Sequence, residues 1–105
     1  MRNAKEELLE ILSNDTDKIK CANISHVQGW GDSEEDEFKL PVRHTDFELT
    51  SFIESLDFKY DAGLGGQELF GIVWLKDGTW LSRGEYDGSE WWEHNVLPEI
   101  PKELL

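Results

Sequence analysis

An α+β domain built on an antiparallel sheet is the fold class this sequence predicts, and three observations predict it. Two segments, Ala4 to Leu12 and Thr45 to Leu56, place apolar residues at helical spacing. β-rich runs lie between and after them. Two Asp-Gly pairs, at 77–78 and 87–88, sit where hairpins would turn. The order helix, strands, helix, strands then gives a single domain over residues 1–105, with two short helices and about 4–5 strands.

Each element has a local reason. Asn3 is placed to cap a first helix, with Glu6 three residues later, and Ala4, Leu8, Ile11 and Leu12 form one face. "SNDTD" ends that helix. "KIKCANISHV" reads as a strand with either a bulge or both faces partly covered, because Ile19 and Cys21 share one parity while Ala22 and Ile24 take the other. "QGWGDSEEDE" reads as a loop. "FKLPV" alternates Phe38, Leu40 and Val42 and carries Pro41, which fits an edge strand. Thr45 and Glu48 form a capping box for the second helix, whose inner face is Leu49, Phe52, Ile53 and Leu56. "FKYDAGLGGQ" reads as a short strand and a glycine-rich turn.

The strongest signal is "ELFGIVWLKDGTWLSRGEY". A two-residue Asp77-Gly78 turn sets Lys76 opposite Thr79, Trp74 opposite Leu81 and Ile72 opposite Arg83. Both faces are then apolar near the turn, so the hairpin is expected to be covered on both sides or central in the sheet. Asp87-Gly88 repeats the turn signal, and pairing Tyr86 with Ser89 puts Glu85 against Glu90. "LPEIPKELL" reads as an extended strap with a final half-turn.

Charge bounds the function. Of 105 residues, 23 are acidic and 10 basic, a net charge of -13 that repels nucleic acid and anionic lipid and attracts basic partners. Hydrophobic content of 38% and five tryptophans argue for a folded domain rather than an acidic tail. Cys21 is the lone cysteine, which excludes an intrachain disulfide and a cysteine-rich zinc site. The lone cysteine fits a reducing compartment, and the start of the chain has neither a signal-peptide pattern nor a long apolar run. A cytoplasmic protein is expected.

The chemical motifs weigh against an enzyme. "GLGGQELFG" lacks the following helix and the lysine of a phosphate loop. Glu85, Asp87, Glu90 and Glu93 could supply a carboxylate pair for glycoside hydrolysis, but a chain this short must build core and cleft from one sheet. His26, His44 and His94 are too dispersed for a metal site, and the run Asp32 to Glu37 lacks calcium-loop spacing. No catalytic residue, cofactor or metal is assigned. Extended geometry sends Trp91 and Trp92 to opposite faces, so one ring belongs to the core.

The block "GGQELFGIVWLKDGTWLSRGEYDGSEWWEHNVLPEIP", about the last 40 residues, resembles one found in small proteins of bacteriophages and prophages, with "DGTW", "EYDGSEWW" and the closing prolines carrying the likeness. The resemblance implies a phage-encoded accessory protein, of the kind that blocks basic nucleic-acid channels of host defence complexes such as CRISPR effectors. With the charge, it leads to an expected non-enzymatic inhibitor that occupies a basic nucleic-acid-binding surface. The expected contact residues are Trp30, Asp32, Glu34, Glu35, Asp36, Glu37, Glu85, Asp87, Glu90 and Trp92. An immunity protein against a basic toxin uses the same physics. A carbohydrate-binding domain with surface tryptophans is the alternative from another class.

Overall fold

The computed structural model describes residues 1–27, 35–61 and 66–105. Trp30, Asp32 and Glu34 of the expected contact set lie outside them. The chain forms an α+β domain with two helices, a five-stranded antiparallel sheet and a two-stranded one.

The first element is β1 (Arg2–Asn3), followed at once by α1 (Ala4–Ile11). The Asn3 side chain accepts the Glu6 N–H, a cap worth about 1 kcal/mol. Ser13 and Asn14 take positive φ, and the Asn14 N–H donates to the Leu9 carbonyl, closing α1 with a Schellman turn. A 3-10 turn leads into β2 (Ile19–Val27), whose register with its neighbour shifts between Ile19 and Cys21, the bulge that was one of the two expectations from the parity change.

The next strand, β3 (Glu35–Leu40), begins earlier than the alternation suggested and ends before Pro41. Glu35, Asp36 and Glu37 are therefore strand residues, not loop residues. Pairing with Val27, His26 and Ser25 of β2 outweighs their low strand preference. The capping box holds as expected on α2 (Asp46–Ser55), with Leu49, Phe52 and Ile53 buried. Then β4 (Lys59–Tyr60), the short strand expected in that stretch, returns to pair with β1, a two-residue strand that was not expected.

The C-terminal strands are β5 (Leu69–Leu75), β6 (Trp80–Tyr86) and β7 (Ser89–Asn95). The sheet order is β3-β2-β5-β6-β7. The β5–β6 turn departs from expectation by one residue. The Leu75 carbonyl accepts the Gly78 N–H, the Leu75 N–H donates to Thr79, and Gly78 has φ +89°. That is a three-residue loop, a type I turn closed by a left-handed glycine. Trp74 therefore pairs with Trp80, Val73 with Leu81 and Ile72 with Ser82. The slip reverses every side chain of β6: Leu81 and Arg83 turn inward, and Trp80 turns outward. The Asp87-Gly88 turn is the expected two-residue one, both φ positive, with Tyr86 opposite Ser89.

The core lies between one face of the sheet and the two helices. Ile24, Val73, Leu69 and Leu81 from the sheet meet Leu8, Leu12, Phe52 and Leu56 from the helices. Gly71 makes this possible at φ +139°, because a Cβ there would stand 2.3 Å from the Asn23 carbonyl oxygen of β2. Beyond β7 the chain runs without further strands to a last 3-10 turn at Lys102–Leu104, as expected of the strap. Among the described residues no helix is long and apolar enough to cross a membrane.

Candidate binding surface

Strand alternation gives the five-stranded sheet two unlike faces. The inner one includes a buried charged cluster. Arg83 on β6 is walled in, with its side chain 2% exposed. Its Nη1 donates to Glu7 Oε1 of α1 at 2.8 Å, and its Nη2 donates to Glu90 Oε1 of β7 and to the Tyr60 hydroxyl, each at 2.8 Å. The Tyr60 hydroxyl in turn donates to Glu7. The guanidinium also lies over Trp92, 4.9 Å from the ring centroid. Glu90 accepts the backbone N–H groups of Glu68 and Leu69, which fixes the start of β5. Arg2 reaches Glu7 from outside at 3.1 Å.

This geometry sets protonation. Burial first, then the bond to Glu7, pushes the Tyr60 phenol well above its ordinary value, because a phenolate there would face a carboxylate. Burial works against the Arg83 charge, but Glu7 and Glu90 outweigh it and hold the guanidinium firmly protonated. The cluster knits α1, β4, β5, β6 and β7 together. It reads as a structural clamp, since Glu7 Oε1 and both oxygens of Glu90 accept from donors within the fold. Among the described residues Glu7 Oε2 has only the ion pair with Arg2, and Arg83 Nε and Trp92 Nε1 have no hydrogen-bond partner.

Two expected contact residues are thereby corrected. Glu90 and Trp92 are buried, Glu90 as the partner of Arg83 and Trp92 as the plate beneath it. The like-charge pairing of Glu85 with Glu90 survives because Arg83 neutralises Glu90, while Glu85 stays exposed and accepts the Gly88 N–H. The acids considered for glycoside hydrolysis do not converge. Glu90 points inward, Asp87 sits in the turn, and Glu93 lies on the other face beside Trp91.

The outer face is open among the described residues, whereas a covering on both sides was one of the two expectations; the other, a central position in the sheet, holds. Phe70, Ile72 and Trp74 on β5 are 39%, 37% and 41% exposed, with Trp80 half-buried beside Trp74 and Trp91 exposed on β7. Trp91 is thus the surface member of the tryptophan pair. Its indole lies across Gly84, where a Cβ would come within 2.5 Å of Nε1, and Nε1 donates to Glu93 Oε1 at 3.1 Å. Asn23, Ser25 and Ser82 complete the floor with small polar groups. These side chains make the outer face apolar across β5, β6 and β7.

Of the remaining expected acids, Glu35 and Glu37 lie on this face, whereas alternation puts Asp36, opposite His26, and Glu85, opposite Glu90, on the helix-covered side, and Asp87 sits in the turn. Glu35, Asp36 and Glu37 are exposed on edge strand β3, and Glu85 and Asp87 are exposed at the β6–β7 turn. β2 and β5 separate β3 from β6, so the two acidic groups stand roughly 14 Å apart, three strand spacings. They do not form one cluster, and of the strand acids only Glu35 and Glu37 share the aromatic face. Sequence reasoning missed the clamp of Arg83, Glu7 and Tyr60. The one available signal was Arg83, an arginine in the interior of an expected strand. Among the described residues no group of three metal-ligating side chains comes together.

Fold and surface together define a small acidic α+β domain with one helix-covered sheet face and one open aromatic face. No family model matches the chain, and neither curated proteins nor solved structures give a match.

Proposed function

We propose that this protein is a non-enzymatic binding protein that docks its open sheet face onto a basic protein surface, of the kind that otherwise holds nucleic acid. The observation that carries the reading is an aromatic surface of Phe70, Trp74, Trp80 and Trp91 on a domain of net charge -13. Carboxylates around the rim raise the encounter rate and select cationic partners, while the desolvated rings supply the affinity. The resemblance of the C-terminal block to phage proteins supports placing it as a phage-borne inhibitor of a host nucleic-acid-handling complex in the bacterial cytoplasm.

The test is capture from bacterial lysate at low salt, followed by elution with duplex DNA. The reading expects a nucleic-acid-binding protein that DNA displaces and that a Trp74→Ala, Trp91→Ala variant no longer retains. A catch indifferent to DNA and to both substitutions refutes it. One observation favours a second reading: Trp91 lies flat on the sheet with a carboxylate beside it, the arrangement on which a sugar ring stacks. Quenching of tryptophan fluorescence by oligosaccharides, lost in Trp91→Ala, would select it.

A further inference from the structure

A second surface lies at the opposite edge of the sheet from β7. Among the described residues β3 has a partner on one side only, so its outer edge leaves backbone N–H and C=O groups unpaired. Beside that edge, between β3 and α2, runs a groove of about 510 Å³. Phe38, Leu40, Phe47 and Phe52 give it apolar walls, and Phe47 is 79% exposed.

We infer that this edge and groove take an extended segment of a basic partner as a sixth strand, with lysine or arginine alternating with aliphatic residues. Strand addition needs an unpaired edge and room for every second side chain; among the described residues β3 offers that edge and the groove offers that room. The pleat dictates the pattern. Phe38 and Leu40 face α2, so partner residues on that side enter the groove and must be apolar. Glu35 and Glu37 point to the other face, where the exposed Lys39 pairs with Glu37 at 3.4 Å, so a cationic partner residue meets the Glu35 carboxylate and competes with Lys39 for Glu37. A second copy is the wrong occupant, because it would bring another -13 against the same acids. The inference rests on the basic partner proposed above and adds where its extended segment binds.

The probe is an eight-residue peptide of alternating lysine and valine, titrated into the labelled protein and followed by amide NMR shifts. The control is the block peptide of four lysines and four valines, equal in charge without alternation. The alternating peptide should bind at least tenfold tighter and shift the amides of Glu35 to Leu40 and the side of α2 carrying Phe47 and Ser51. A Glu35→Lys, Glu37→Lys variant should lose at least tenfold. Phe47→Ala should weaken binding with its circular dichroism unchanged. Equal binding of the block peptide, or shifts confined to Trp74, Trp80 and Trp91, overturns the inference. If the lysate partner is still captured by the Glu35→Lys, Glu37→Lys variant and lost by Trp74→Ala, Trp91→Ala, docking by the aromatic face stands and strand addition at β3 falls.

Discussion

Replacing Arg83 with methionine is the sharpest test of how this fold holds together. Methionine keeps most of the volume and removes the guanidinium. Glu7 and Glu90, whose side chains are 5% and 0% exposed, would then be two buried carboxylates without their shared cation. Three donor contacts at 2.8 Å disappear with it. Breaking a buried ion pair from one side costs about 3–5 kcal/mol, and Arg2 reaches only the outer oxygen of Glu7. A domain of this size holds about 5–15 kcal/mol in total, so the loss is a large share. At about 4–8 °C per kcal/mol, the melting temperature should fall on the order of 20 °C. Urea unfolding at pH 7 followed by circular dichroism measures the difference directly. Adding Glu7→Gln and Glu90→Gln to Arg83→Met should recover about half of the loss or more, since neutral amides are far cheaper to bury than charges. If Arg83→Met alone unfolds within about 1 kcal/mol of the parent, the carboxylates are hydrated and the clamp described above is wrong.

Other substitutions probe other links. Gly71→Ala should cost at least about 3 kcal/mol, because φ +139° is strained for alanine and its Cβ would overlap the Asn23 carbonyl; an expressed, stable Gly71→Ala protein would contradict the close approach of β5 to β2. Gly84→Ala should lift the Trp91 indole off the sheet and change tryptophan emission, with a stability loss of about 1–2 kcal/mol; unchanged emission would mean the ring does not lie there. Tyr60 gives a pH dependence with a definite sign. Its folded pKa lies above the unfolded value near 10, so its contribution is complete below pH 10 and is lost as pH rises beyond it. The slope above pH 10 is about 1.4 kcal/mol per pH unit, and Tyr60→Phe should flatten it when urea midpoints are compared between pH 9 and 11.

What the sequence disclosed follows the range of the interactions involved. The Thr45–Glu48 capping box and the Asp87-Gly88 turn are local, and both are present as expected. Asp77-Gly78 is the same dipeptide with a different outcome, because an Asp-Gly pair fits a two-residue turn and the end of a three-residue one. Distant contacts decide between them. With the longer loop, Leu81 reaches the core and Arg83 meets Glu7, a residue 76 positions away. The shorter loop would send Arg83 outward and leave Glu7 and Glu90 buried without a cation. Glu90 and Trp92 lie only 7 and 9 positions from Arg83, yet they read as surface residues because the β5–β6 slip decides which way Arg83 points. The β1–β4 pair is two residues long on each side and has no periodicity to detect.

The clamp also bears on where the protein keeps its excess charge. Inside, the carboxylates of Glu7 and Glu90 are balanced by the guanidinium groups of Arg83 and Arg2, so the cluster sums to zero. The whole of the -13 therefore resides outside it, at or near solvent, as mutual repulsion that counterions can relieve. Ionic strength should then act in opposite directions on folding and on the proposed docking. Added salt should steady the isolated domain by screening its own carboxylates, and the same salt should weaken the proposed binding of a cationic partner.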